Sequence, residues 1–228
     1  IRHQGRPAVA LSVMPQKAID LVVLGERIEA VMAESGPAIA PLDIEVFAFQ
    51  PTGVAERLWS LGGSLVLGIG IVALVLFLFM GPRMGVVVSS VVPVVALSTL
   101  ALYSWGGGVL HQMSVAALVL ALGLLVDNAI VVAESVQEKL DRGATRADAA
   151  RESVLELASP LATATGTTVA AFLPMLLAGG GTADFTRAIP VILITALVVS
   201  YGFAITLTPM LSARFLKPRA AGERPRGR

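Results

Sequence analysis

The chain has 228 residues, a formal net charge of +1 and no cysteine; 55% of its residues are hydrophobic and only 14% are charged. This composition excludes a disordered chain, a disulfide-stabilised domain and a metal site built on cysteine thiolates. It also argues against an ordinary soluble domain, because the apolar residues occur in runs long enough to cross a hydrocarbon core about 30 Å thick. With so small a net charge, no nucleic-acid partner is predicted.

Residues 1–56 are predicted to lie outside the membrane, since charges are spread through them and no apolar run is long enough to span. The apolar run Ala8–Met14 lies between two prolines and predicts a strand. Apolar residues recur at helical spacing over Ile19–Glu34, and Gly36–Pro37 is expected to end that helix. A second strand is predicted over Asp43–Gln50. The segment is therefore predicted to be a βαβ unit with parallel strands, part of a larger α+β domain.

Five membrane-spanning helices are predicted within residues 57–216. They cover Leu58–Met80, Met84–Ser104, Met113–Ser135, Leu157–Ala178 and Ala188–Arg214. A charged link at 136–156 joins the third span to the fourth. Within it, Gly143 is expected to end one helix, and Thr145 with Asp148 three residues later resembles a capping box that begins the next. Residues 217–228 form a basic tail.

Lysine and arginine are distributed unevenly between the two sets of loops. One set, together with the tail, contains eleven: Arg83, Lys139, Arg142, Arg146, Arg151, Arg214, Lys217, Arg219, Arg224, Arg226 and Arg228. The opposite set contains only Arg187. Because loops rich in Lys and Arg remain cytoplasmic, the link and the C-terminus are predicted to be cytoplasmic. Residues 1–56 are then predicted to be periplasmic, and the chain is interpreted as a fragment of a longer multi-pass protein of the inner membrane.

Asp127 is the one ionisable residue well inside a predicted span, and Asn128 follows it. A charged aspartate at mid-membrane costs about 2.5–3.5 kcal/mol on insertion scales, and such residues are functional by default. Since the neutral form of a carboxyl group is favoured away from water, such a group can bind and release a proton. Asp127 is therefore predicted to be a proton site, with a purely structural carboxyl group as the alternative. Glu134, near the cytoplasmic end of the same face, is interpreted as an interfacial carboxylate.

The fourth span is rich in small and polar residues. Ala162, Gly166 and Ala170 repeat every four residues, which favours close helix packing. Thr163 and Thr167 are candidates for a hydroxyl lining that passes protons or water near Asp127. No metal site is predicted, because the lone loop histidine His111 is interpreted as a solvated side chain.

The sequence lacks the residues that several enzyme classes require. There is no Walker A loop and no HExxH motif. An intramembrane aspartyl protease needs two membrane carboxylates, and a serine hydrolase needs a histidine base that the spans lack. The chain is therefore predicted not to be an enzyme.

At GLLVDNAIVV the sequence resembles the resistance–nodulation–division (RND) superfamily, the efflux permeases of the multidrug and heavy-metal branches. The resemblance covers nearly the whole chain. The segment with RPAVALSV is similar to the end of the periplasmic porter region in the N-terminal half. The spans are similar to transmembrane helices two to six, with GLLVDNAIVVAESVQ as the fourth and ITALVVSYGFAITLTPMLSARFLKP as the sixth.

The resemblance implies a proton-driven exporter of drugs or other amphiphiles that works as a homotrimer in the lipid of the inner membrane. It implies a periplasmic adaptor and an outer-membrane channel as partners, and the proton-motive force rather than a cofactor. In that family the fourth helix carries proton-relay carboxylates, often as a neighbouring aspartate pair. Asp127 matches the first, and Asn128 stands where the second would be, so Asp127 alone is carried over as the proton carrier.

Asn128, Thr163 and Thr167 remain candidates for relay or packing support, and the family's partner lysine belongs to the other half of the permease. Two alternatives stay open: a heavy-metal exporter of the same superfamily, and a non-transporting membrane scaffold or secretion accessory. No substrate is predicted.

Overall fold

The structure, a computed structural model, describes residues 2–3, 6–14, 21–39, 44–46, 50–180 and 186–218. Its internal contacts divide the chain into two units, Ile1–Arg57 and Leu58–Arg228.

The first unit contains a short hairpin and one helix. β1 (Arg2–His3) and β2 (Arg6–Pro7) pair in an antiparallel manner. The helix α1 (Leu21–Ser35) continues as a 3₁₀ turn over Gly36–Ile39. The helix predicted for this part of the chain is therefore present.

The two strands of the predicted βαβ unit are not supported. Residues 8–14 form no strand, and the side chain of Val9 is 90% exposed. A strand needs a neighbour that takes up its backbone hydrogen bonds, and no described residue pairs with this segment. Of the second predicted strand, Asp43–Gln50, residues 44–46 are described and form no strand, while Gln50 already belongs to a helix. The rest of that strand lies outside the described residues.

The remaining helices are long and mostly apolar. They are α2 (Gln50–Met80), α3 (Pro82–Trp105), α4 (Gln112–Asp141), α5 (Arg146–Leu177), α6 (Ala188–Ile205) and α7 (Leu207–Phe215). Over the described residues, five of these are long and apolar enough to cross a membrane: α2 from Trp59 onward, α3, α4, α5 and α6. The prediction of five spans is therefore confirmed.

The fifth predicted span, Ala188–Arg214, is wrong as a single helix. It is divided at Thr206, whose φ of −116° and ψ of −67° separate α6 from α7. Pro209 explains the break, because its nitrogen carries no hydrogen and its ring would clash with the carbonyl group of Ile205 in a continuous helix. The Thr206 hydroxyl donates a hydrogen bond to the Gly202 carbonyl oxygen at 2.7 Å.

The charged link predicted at 136–156 is mostly helical, since α4 and α5 leave only residues 142–145 between them. Gly143, at φ 89°, ends α4 as predicted. Its N–H and that of the next residue each bond back to the last turn of α4 at 3.0 Å, which is the Schellman pattern. Thr145 caps α5, because its hydroxyl oxygen accepts a hydrogen bond from the Asp148 N–H at 3.2 Å.

The helix α4 is central to the second unit and contacts α3, α5, α6 and α7. Its fully buried Val132 and Val136 pack with Val88 of α3 and Ala204 of α6 in the largest apolar cluster. By contrast, Leu76 is the only buried residue of α2 among those whose burial is described. Leu65, Ile69 and Val72 of α2 are half-buried against this cluster, whereas other apolar side chains of α2, such as Leu67, Leu74 and Leu78, are exposed.

The N-terminus of α4 is capped by His111. Its Nδ1 accepts a hydrogen bond from the Met113 N–H at 3.2 Å. The His111 N–H in turn donates to the Ser114 hydroxyl oxygen at 3.4 Å, which completes a capping box. His111 is thus a helix cap and not a freely solvated side chain. Burial lowers the pKa of His111 below its ordinary value of 6.5.

We expect this cap to weaken in acid, because a protonated imidazole cannot accept the bond from Met113. A folded-state pKa below 6.5 means that the cap's stabilisation is complete above that pH and is lost as the pH falls toward the folded-state value. His111→Ala should cost about 1 kcal/mol at neutral pH, while His111→Asn keeps an acceptor that does not titrate. Hydrogen exchange of the Met113 amide, corrected for its intrinsic pH dependence, measures the effect. An unchanged pH dependence in His111→Asn would contradict this role.

Candidate functional site

Asp127 lies at the middle of α4. The helix has 30 residues and is therefore about 45 Å long. Throughout the five spans, all of which are described, the other ionisable residues lie toward helix ends. Asp127 is therefore the ionisable residue farthest from the ends of these helices.

The Asp127 side chain lies on an exposed face of α4. Leu120, Gly123, Asp127, Val131 and Glu134 are all exposed, and their spacing of three or four residues places them on one side of the helix. We call this set the open stripe. No described residue forms an ion pair or hydrogen bond with the Asp127 carboxylate. The described helices therefore pack against the other side of α4 and leave this carboxylate uncovered.

Two polar contacts beside Asp127 hold α4 to its neighbours. Asn128 is 8% exposed, and its Nδ2 donates a hydrogen bond to Thr165 Oγ1 of α5 at 3.4 Å. The buried Ser200 hydroxyl of α6 donates to the Leu125 carbonyl oxygen of α4 at 2.7 Å. Because these contacts lie two residues before and one after Asp127, they fix the rotation of α4 that directs the carboxylate outward.

The two threonines proposed from the sequence to line a path near Asp127 donate hydrogen bonds within their own helix. Thr163 and Thr167 are exposed and donate to carbonyl oxygens of their own helix, Ser159 at 3.0 Å and Ala164 at 2.8 Å. Thr165 is the residue that reaches α4, and it was missed. In the structure Thr165 shares a face with the buried Leu161, four residues earlier, and no local pattern in the sequence marks that face.

The small-residue face of α5 does not pack within the bundle. Ala162, Gly166 and Ala170 are exposed, and a Cβ at Gly166 would meet no atom within 4 Å. The prediction of close helix packing therefore finds no partner among the described helices.

Polar side chains also join α4 to α5 outside the apolar core. Lys139 Nζ lies 2.8 Å from Glu156 Oε2 and 3.7 Å from Glu152 Oε2, one turn apart on α5. The Ser135 hydroxyl donates to Ser153 Oγ at 2.9 Å. These contacts join α4 and α5 near the turn between them.

Gln137 ties the end of α7 to the same hairpin. Its Nε2 donates to the Lys217 carbonyl oxygen at 3.0 Å and to Asp141 Oδ1 at 2.7 Å. Across the described ranges, no group of three or more His, Cys, Asp and Glu side chains is arranged to bind a metal ion.

Five apolar helices, with α4 at the centre and one carboxylate at the middle of α4, define a multi-pass helical membrane protein. The sequence profile of the AcrB/AcrD/AcrF family matches residues 1–226. The chain therefore belongs to the AcrB/AcrD/AcrF family, which confirms the resemblance to RND permeases.

Three relatives illustrate the similarity, each called multidrug resistance protein MdtC. The chain is 30% identical to the Pantoea ananatis protein over 227 residues, 99% of this chain and 22% of that protein. It is 30% identical to the Cronobacter sakazakii protein over 220 residues, 96% of this chain and 21% of the relative. The Escherichia coli O139:H28 protein is 30% identical over 223 residues, 97% of this chain and 22% of the relative. The chain thus spans about a fifth of the length of these relatives.

Proposed function

We propose that this chain is the part of a proton-coupled RND exporter in which Asp127 takes up and releases the transported proton. The observation that carries the proposal is the position of Asp127: at the middle of a membrane-spanning helix, on the open stripe, beside contacts that hold the helix to its neighbours. The exported compounds are drugs or other amphiphiles, since the relatives are named multidrug resistance proteins. Those names favour the drug branch over the heavy-metal branch.

The mechanism follows from the two protonation states of one carboxyl group. A neutral Asp127 is compatible with an apolar neighbour, whereas an ionised Asp127 needs water or a cation on the open stripe. Each protonation state therefore favours a different packing between the open stripe and the part of the full-length protein that lies against it. Because Lys139 and Asn128 join α4 to α5, a displacement of α4 moves the hairpin as a whole. Each proton supplies about 2.3 kcal/mol per 100 mV of membrane potential.

The proposal also includes the orientation of the chain in the membrane and the assembly of the full-length protein. Residues 1–56 lie in the periplasm and the α4–α5 turn lies in the cytoplasm, in keeping with the excess of Lys and Arg around that turn. The full-length protein forms a homotrimer that connects to a periplasmic adaptor and an outer-membrane channel. Asn128 supports the packing of α4 through its bond to Thr165, and it cannot itself ionise.

Reconstitution of the full-length protein tests the coupling. Proteoliposomes with an imposed pH gradient should accumulate a fluorescent drug against its gradient, and drug movement should be accompanied by proton flux. Dissipation of the gradient with a protonophore should stop accumulation. Drug transport that continues unchanged without a proton gradient would overturn the proposal.

A further inference from the structure

A groove opens on the second unit between the first turns of α5 and the start of α7. The break at Thr206 and the buried Pro209 form one wall, and Ala147, Arg151 and Leu155 of α5 form the other. The groove therefore lies at the break between α6 and α7.

The groove combines an apolar floor with one cation. Leu155 is 71% exposed and Met210 is 65% exposed, and both line the groove together with Val154. Arg151 is exposed and lies one turn before Leu155 on the same face of α5. Arg214 follows Met210 by one turn on α7 and is also exposed. Arg151 therefore lies nearer the start of α5 than Leu155 does, and Arg214 lies nearer the end of α7 than Met210 does.

Arg151 has no acidic partner among the described residues. The acidic groups nearest to it in sequence are already engaged. Glu152 and Glu156 face Lys139, and the Asp148 carboxylate accepts a bond from the Thr145 hydroxyl at 2.6 Å. The guanidinium of Arg151 is thus available to an anion, and guanidinium groups bind phosphate in a bidentate manner.

The depth of the groove matches the headgroup region of a bilayer. An apolar segment of about 20 residues crosses the hydrocarbon core, and the apolar part of α5 from Leu157 to Leu177 has that length. Arg151 precedes Leu157 by six residues, which is about 9 Å along the helix. The arginine therefore lies beside the phosphates when Leu155 and Met210 meet the acyl chains.

We propose that this groove binds an anionic phospholipid of the cytoplasmic leaflet. The lipid phosphate pairs with Arg151, and an acyl chain lies along Val154, Leu155 and Met210. We infer a lipid because Arg151 and the exposed apolar side chains lie next to each other at the headgroup end of α5. Basic pockets at the cytoplasmic ends of membrane helices bind anionic lipid headgroups in this way. The inference rests on the orientation given under the proposed function.

The test compares lipid retention by the full-length protein. Purified protein is exposed to mixed micelles of phosphatidylglycerol and phosphatidylcholine, and bound lipid is counted by native mass spectrometry. Wild type should retain phosphatidylglycerol preferentially, and Arg151→Gln should reduce that preference about fivefold, the factor that corresponds to about 1 kcal/mol for one basic residue near an anionic surface. Leu155→Gln should reduce the retention of both lipids, since it removes an acyl-chain contact.

Arg146→Gln is the matched control. Arg146 is an exposed arginine of α5 that does not line the groove, so the lipid preference should be unchanged. Equal retention of both lipids by wild type would overturn the proposal, as would an equal loss in Arg146→Gln. Retention of neither lipid would also overturn it and would indicate that a protein segment covers the groove. Asp127→Asn should leave lipid retention intact, so this inference and the proton-site proposal fail separately.

Discussion

Asp127→Asn in the full-length protein is expected to abolish drug efflux without reducing the amount of protein in the membrane. Asparagine has the same shape but cannot ionise, so the α4 helix keeps its packing and loses its proton. A charged aspartate costs about 2.5–3.5 kcal/mol at mid-membrane, and the neutral amide that replaces it adds no charge, so insertion should not suffer. Under the proposed coupling, each proton contributes about 2.3 kcal/mol per 100 mV, and its loss corresponds to a roughly fiftyfold substrate gradient. Substrate accumulation in cells that lack other pumps measures the loss.

Glu134→Gln is the control for this experiment. Glu134 lies seven residues after Asp127 on the open stripe and is also exposed. Like Asp127→Asn, the variant replaces one carboxylate on this face of α4 with a neutral amide. Efflux should remain near the wild-type level. Normal efflux by Asp127→Asn would remove the proton-site proposal. Loss of folding or trimer assembly in Asp127→Asn would instead favour a structural carboxyl group.

Gly85→Val is expected to be strongly destabilising, because α3 crosses α2 at this glycine. A Cβ at Gly85 would lie 3.0 Å from both Cα and N of Phe77 and 3.2 Å from the carbonyl carbon of Leu76. These are backbone atoms, which cannot rotate away as the end of a side chain can. Overpacking of this kind costs about 1–3 kcal/mol, and we expect the upper end because both helices must separate. The thermal unfolding midpoint of the purified full-length protein measures the effect.

Gly166→Ala is the matched glycine substitution. Gly166 is also in a helix interior, and a Cβ there would meet no atom within 4 Å. The change should be neutral or stabilising by up to about 1 kcal/mol, the difference in helix propensity between the two residues. A Gly85→Val protein as stable as Gly166→Ala would show that α2 and α3 do not approach closely at this point.

The number and approximate extent of the spanning helices could be predicted from the sequence, whereas the rotation of each helix could not. Runs of apolar residues set helix number and length locally, and Gly143 and Thr145 marked the α4–α5 turn through their own backbone chemistry. The direction in which Asp127 points depends on the bonds from Asn128 to Thr165 and from Ser200 to the Leu125 carbonyl. Those partners are distant in sequence, so no local pattern shows them.

The incorrect expectations have related causes. The apolar run at 8–14 has strand composition, but a strand is a property of a pair, and pairing is not encoded in one segment. Likewise, Ala162, Gly166 and Ala170 have the spacing of a packing face, yet α5 buries the face of Leu161 and Thr165 instead. The fifth span was predicted as one helix from its apolar composition, although Pro209 within it cannot donate a backbone hydrogen bond.

The break at Thr206 gives the last span a compliant joint. A continuous helix would transmit a tilt of α6 directly to its far end. Here α7 is tied instead to α4 by the bond from Gln137 to the Lys217 carbonyl oxygen and packs against α5. The helix α6 also packs along α4, with Ala204 in the apolar cluster and the Ser200 hydroxyl bonded to the Leu125 carbonyl oxygen. The break at Thr206 therefore lets both parts of the last span keep contact with α4, although they do not form one straight rod.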